Sequence, residues 1–120
     1  MLRFHHVNLG IPVGGADAEM RFLVDLLGYR RVQPSPGVPA TARWFEGEDG
    51  AQVHLSEDPE HRAPARAHVA VVIGDELPAL ERRLDDGGRH YDVANIQDRR
   101  VVLCRDPAGN LWELRGSSPE

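Results

Sequence analysis

"DPAGNLWEL", residues 106 to 114, is the stretch on which the reading of this chain turns. Asp106-Pro107-Ala108-Gly109 has proline second and glycine fourth, as a tight turn prefers, so a strand is expected to start directly after it. In that strand Leu111, Glu113 and Arg115 share one face, and Trp112 and Leu114 the other. A carboxylate at 113, in the middle of an otherwise apolar run, calls for an explanation.

Working backward from this segment, the second half of the chain reads as a strand "AHVAVVI", a helix "DELPALERRLDD" with Leu77, Leu80 and Leu84 on one face, and the strands "HYDVAN", "RRVVLCRD" and "NLWELRG". The first half has the same order. "FHHVNLGIP" has strand character and ends at Pro12 and Gly14-Gly15, and "DAEMRFLVDLLG" places Met20, Leu23, Val24 and Leu27 at helical spacing. Asp17 is expected to cap that helix and Gly28 to end it. "YRRVQ", "TARWFE" and "AQVHLSE" follow as strands, the last two joined by "GEDG". Each half is thus βαβββ, and the polar linker "EDPEHRAPAR" separates them. The registers agree as well: His6-Val7 and His68-Val69 stand 62 residues apart, His54-Leu55 and Glu113-Leu114 stand 59 apart, and so do Gly50 and Gly109. An internal repeat of this kind predicts an α+β fold in which two βαβββ modules, 1–57 and 66–116, form one domain with a cupped mixed β-sheet.

Bulk properties fit one small globular domain. The chain has 120 residues, 41% hydrophobic and 28% charged, and a net charge of −5, which disfavours nucleic acid and membrane surfaces as partners. No apolar run approaches the ~18 residues of a membrane span, and the N-terminus meets charge and histidine before any signal-like segment could form. Cys104, the single cysteine, sits in a strand pattern and reads as a core residue. A cytoplasmic, soluble protein is expected.

The question raised by Glu113 gains three partners through the repeat. His6, His54, His68 and Glu113 occupy two equivalent places, the first and the last strand of each half. Alternation puts Phe4, His6 and Asn8 on the face opposite His5, Val7 and Leu9, and His68 opposite Val69 and Val71. Three imidazoles and a carboxylate in an apolar cleft are satisfied together by one divalent cation, and nitrogen with carboxylate donors suits Zn, Ni, Co, Mn or Fe(II) better than Ca or Mg. A six-coordinate ion with four protein ligands keeps two positions open, as a catalytic site requires. Phe4, Asn8, Trp44, Leu111 and Arg115 are candidate substrate-binding wall residues from alternation. His5, on the opposite face, His61, in the linker, and His90, at a strand end, read as structural or surface residues.

The two βαβββ halves, "HHVNL" and "AHVAV" at their openings and "DPAGNLWEL" at the close resemble the vicinal oxygen chelate superfamily. This includes glyoxalase I, extradiol dioxygenases, fosfomycin-resistance enzymes and bleomycin-resistance proteins. The resemblance covers nearly the whole chain. It implies that His6, His68 and Glu113 fall on the usual ligand positions of one divalent ion per site (Zn, Ni, Mn or Fe(II)), and that His54 falls where glyoxalase I has a second glutamate. With Glu113 the only carboxylate, the His6/His68/Glu113 set is similar to the two-histidine, one-carboxylate arrangement of the extradiol and fosfomycin-resistance branches. His54 is then either a fourth ligand or an adjacent acid/base, and Glu113 or His54 moves the substrate proton. The implied activity is that of a metal-dependent glyoxalase-like enzyme on a small substrate chelated through adjacent oxygens, and the implied assembly is a homodimer. A metal-free binding protein of the bleomycin-resistance type, with Trp44 stacked on a cationic ligand, is the alternative.

Overall fold

Alternation along "HVNLGI" gives a strand, β1 (His6–Ile11), whose inward residues end in the fully buried Ile11. The computed structural model describes residues 1–117 and divides the chain into two units, Met1–Arg62 and one that begins at Ala63.

In the first unit β1 is followed by α1 (Ala16–Arg21), a π-helical turn over Phe22–Leu26, and strands β2 (Arg30–Val32), β3 (Arg43–Glu46) and β4 (Gln52–Glu57). The sheet order is β1-β4-β3-β2, with β1 parallel to β4 and the other pairs antiparallel. Two details of the helix differ from the sequence reading. Gly15 is the N-cap, and Asp17 lies inside the first turn, where its charge complements the positive helix end without capping it. The buried stripe differs from the expected one: Glu19 in α1 and Phe22 and Leu23 in the π turn are buried, while Met20, Val24 and Leu27 are only partly covered. Gly28, at φ +91°, ends the helix as expected. Phe45, Val53 and Leu55 add the sheet's share of this core, each such side chain contributing roughly 1.5–3 kcal/mol.

The second unit repeats the plan. β5 (His68–Val72) leads through a short 3₁₀ turn into α2 (Leu77–Asp86), and β6 (Tyr91–Ile96), β7 (Arg99–Arg105) and β8 (Leu111–Arg115) follow in the order β5-β8-β7-β6. β5 is again parallel to the last strand. Leu77, Leu80 and Leu84 are buried as the helical spacing predicts. Cys104 and Trp112 are cross-strand partners, as are Val102 and Leu114, and all four are buried. Burial raises the Cys104 thiol to about 11, which suits a packing role. One feature the sequence did not signal is the hairpin between β6 and β7. Gln97 and Asp98 both take positive φ, 53° and 61°, the geometry of a tight two-residue hairpin turn, yet neither is the glycine or asparagine that usually marks one.

Each half is therefore a βαβββ module carrying a four-stranded mixed sheet.

Candidate functional site

In the first unit the register collects the polar residues on one sheet face. Asn8 is opposite His54, His6 opposite Gln52, and across the antiparallel pairs Trp44 meets His54 and Glu46 meets Gln52. The His54 ring lies between two others. Trp44 stacks on it at 4.0 Å and 2°, and His6 at 4.0 Å and 16°. His54 is 7% exposed, and its pKa is lowered to about 4, first by desolvation and then by the neighbouring His6 and His5. It is a neutral imidazole at physiological pH. Its Nε2 is 2.8 Å from Gln52 Oε1; the Gln52 amide donates to Glu46 Oε1 at 3.1 Å, and Arg30 donates to the other Glu46 oxygen.

His5 departs from its expected place. It precedes β1, so strand alternation does not govern it, and its Nδ1 comes within 2.8 Å of His6 Nδ1. Asn8 accepts a hydrogen bond from Ser56 at 2.8 Å, and Phe4 is exposed ahead of β1. His61 packs against Gly10, and His90 is exposed beside Asp92.

In the second unit His68 is opposite Leu111, Ala70 opposite Glu113 and Val72 opposite Arg115, which again places the candidates on one face. Glu113 answers the opening question in part. Its side chain is 12% exposed, Arg115 donates to Oε2 at 2.7 Å, and His68 Nε2 is 3.9 Å from Oε1. The Nδ1 of His68 is 2.9 Å from the Arg66 carbonyl, which can only accept, so Nδ1 carries the proton. Nε2 is then the nitrogen turned toward a carboxylate oxygen of Glu113. Orientation of a histidine by a carbonyl on its far nitrogen is the usual arrangement behind a metal-binding imidazole.

The turn before β8 holds this strand in place. Asp106, 4% exposed, accepts from the backbone N–H of Ala108 and Asn110 through Oδ1 and from Trp112 Nε1 through Oδ2, all within 3.0 Å. The sequence reading used the proline and glycine of this turn and missed the aspartate. It also missed Gln52, Glu46 and Arg30. Gln52 was accessible from alternation, two residues before His54, whereas Glu46 and Arg30 needed the cross-strand register.

For a divalent ion the donors are of the right chemistry, imidazole and carboxylate. They come as pairs, His6 with His54 and His68 with Glu113; among the described residues no three His, Cys, Asp or Glu side chains gather around one point.

The βαβββ unit is repeated, with histidine on the first strand of each half and histidine or glutamate on the last, as the resemblance to the vicinal oxygen chelate superfamily implies. The chain belongs to the glyoxalase-like domain family, whose sequence profile matches residues 8–115. Among solved structures it is similar to a protein assigned to the glyoxalase family from Bacillus anthracis, with a TM-score of 0.87 at 18% identity over 98% of this chain and 97% of the other. A glyoxalase/dioxygenase from Nostoc punctiforme superposes with a TM-score of 0.78 at 22% identity over 98% and 92% of the two chains. A fosfomycin resistance protein from Listeria monocytogenes gives 0.78 at 16% identity over 98% and 94%. None of the curated proteins matches the sequence. At these identities the likeness concerns the fold, which hosts several chemistries.

Proposed function

We propose that this protein is a divalent-metal-dependent enzyme acting on a small substrate through two adjacent oxygens, with His6, His68 and Glu113 as ligands and His54 as a fourth ligand or the neighbouring acid/base. The observation that carries this reading is the pairing of His68 and Glu113, whose Nε2 and Oε1 stand 3.9 Å apart while Nδ1 of the ring is held by the Arg66 carbonyl and the other carboxylate oxygen by Arg115. Bound by these groups, a divalent ion of the Zn, Ni, Mn or Fe(II) type would supply Lewis-acid polarisation of the substrate oxygens. Arg115 donates to Glu113 Oε2 and fixes that oxygen. His54, held in a ring stack between Trp44 and His6, is placed as the fourth ligand or neighbouring acid/base. Asn8, Phe4, Trp44 and Leu111 are the proposed substrate contacts.

Metal analysis of protein purified without chelator tests the reading. About one ion per chain is expected, with uptake lost in His68→Ala and Glu113→Ala; a chain that takes up none of Zn, Ni, Mn or Fe(II) overturns it. The Trp44–His54–His6 stack favours one second reading, a metal-free binder of planar or cationic compounds. In that case the same two variants keep their ligand affinity.

A further inference from the structure

We infer that Arg30, Glu46 and Gln52 form a positioning relay that fixes His54 as its Nε2–H tautomer and leaves Nδ1 as the atom that binds or accepts a proton. Its use in catalysis rests on the functional reading above, whereas the tautomer itself does not. The direction of the relay follows from which groups can donate. Arg30 can only donate, and it occupies one oxygen of Glu46. Glu46 can only accept, so the Gln52 group that faces its other oxygen, 3.1 Å away, must be the amide NH₂. The Gln52 carbonyl oxygen is then turned to His54, 2.8 Å away, and because that oxygen only accepts, Nε2 must carry the hydrogen. No member can be reversed while Arg30 holds the far end.

The elements make this chain from β-sheet register alone. Arg30 on β2 faces Glu46 on β3, and Glu46 faces Gln52 on β4; Gln52 and His54 are two residues apart on one strand and so share a face. The ring stack adds the second constraint. With Trp44 on one side and His6 on the other, the His54 plane cannot turn freely, so a fixed tautomer also fixes the direction of the Nδ1 lone pair. The second unit does the same work differently: the Arg66 carbonyl takes the Nδ1 proton of His68 and exposes Nε2. The two histidines are therefore set to offer opposite nitrogens.

Long-range ¹⁵N–¹H NMR of metal-free protein at neutral pH tests this inference. The expected spectrum shows His54 in one tautomer, with at least about a tenfold excess of Nε2–H and a slowly exchanging Nε2 proton, as one retained hydrogen bond of ordinary strength provides. Gln52→Leu is expected to lose that proton signal and Gln52→Glu, which still accepts, to keep it; Glu46→Gln frees the amide to turn and gives a mixture. An Nδ1–H tautomer in the wild type, or an unaltered His54 signal in Gln52→Leu, overturns the relay. Should Gln52→Leu fail to fold, the wild-type spectrum and Glu46→Gln still decide. A chain that holds Nε2–H but takes up no metal leaves the relay standing and ends the functional reading. Metal uptake with His54 as Nδ1–H does the reverse.

Discussion

The two halves share a backbone plan and differ in what they hang on it. The turns before β4 and β8 close with matching bonds: Gly50 N–H to the Gly47 carbonyl at 3.0 Å, Gly109 N–H to the Asp106 carbonyl at 2.9 Å. Four residues after each of these glycines comes the polar residue of the last strand, His54 in one half and Glu113 in the other. There the likeness ends. His54 is buried, neutral and stacked between rings, while Glu113 is ion-paired with an arginine on its own strand. Repetition fixes where a side chain stands and which way it faces; the neighbours on the same sheet face then set its charge state. A glutamate at position 54 would meet no arginine of the Arg115 kind, because its place, two residues along β4, is taken by Ser56.

The largest expected effect separates the two turns. Asp106→Ala leaves Trp112 Nε1 and two backbone N–H groups without their acceptor, at about 1–3 kcal/mol for each one that stays buried, so a loss on the order of 4 kcal/mol is expected in urea unfolding. In the first unit Asp49 accepts the Ala51 N–H at an exposed position, and Asp49→Ala is expected to cost less than about 1 kcal/mol. Equal losses would mean that the buried carboxylate is not what distinguishes the second turn.

Next comes the dependence on pH. An unfolded histidine takes up its proton near 6.5, whereas His54 in the folded chain does so only near 4. Between these values the unfolded state binds more protons, so stability is complete above about pH 6.5 and falls as pH drops toward 4, by at most ~3 kcal/mol. Unfolding of chelator-treated protein should show this slope, and His54→Gln should flatten it. An unchanged slope in the variant would assign it elsewhere.

A smaller contrast concerns Gly50 and Gly109. Both hold positive φ, 87° and 86°, and an alanine at either pays the left-handed penalty of roughly 1–2 kcal/mol. At Gly109 the new Cβ would also lie 2.7 Å from the Ala63 Cβ, while at Gly50 nothing stands within 4 Å. Thermal unfolding should therefore rank Gly109→Ala below Gly50→Ala, and the reverse order would remove the packing argument.

Much of this was legible in the sequence because it rests on period. Alternation placed His6 with Asn8 and Glu113 with Leu111 and Arg115, and helical spacing found Leu77, Leu80 and Leu84. What stayed hidden depends on pairing between distant segments or on local geometry with no residue signature. Arg30 and Glu46 join His54 only once β2, β3 and β4 are in register. The π turn that buries Phe22 and Leu23 follows no composition rule, and the Gln97-Asp98 turn lacks the glycine that would announce it. His5 fell outside the strand whose alternation was used to place it.

The central claim is that His68 and Glu113 are ligands of one divalent ion. Its most direct test is a crystal structure grown with Zn or Ni, with the ion located by anomalous scattering. The account expects one strong peak within roughly 2.0–2.2 Å of His68 Nε2 and a Glu113 oxygen. A peak on other side chains, or none at full metal loading, would contradict it.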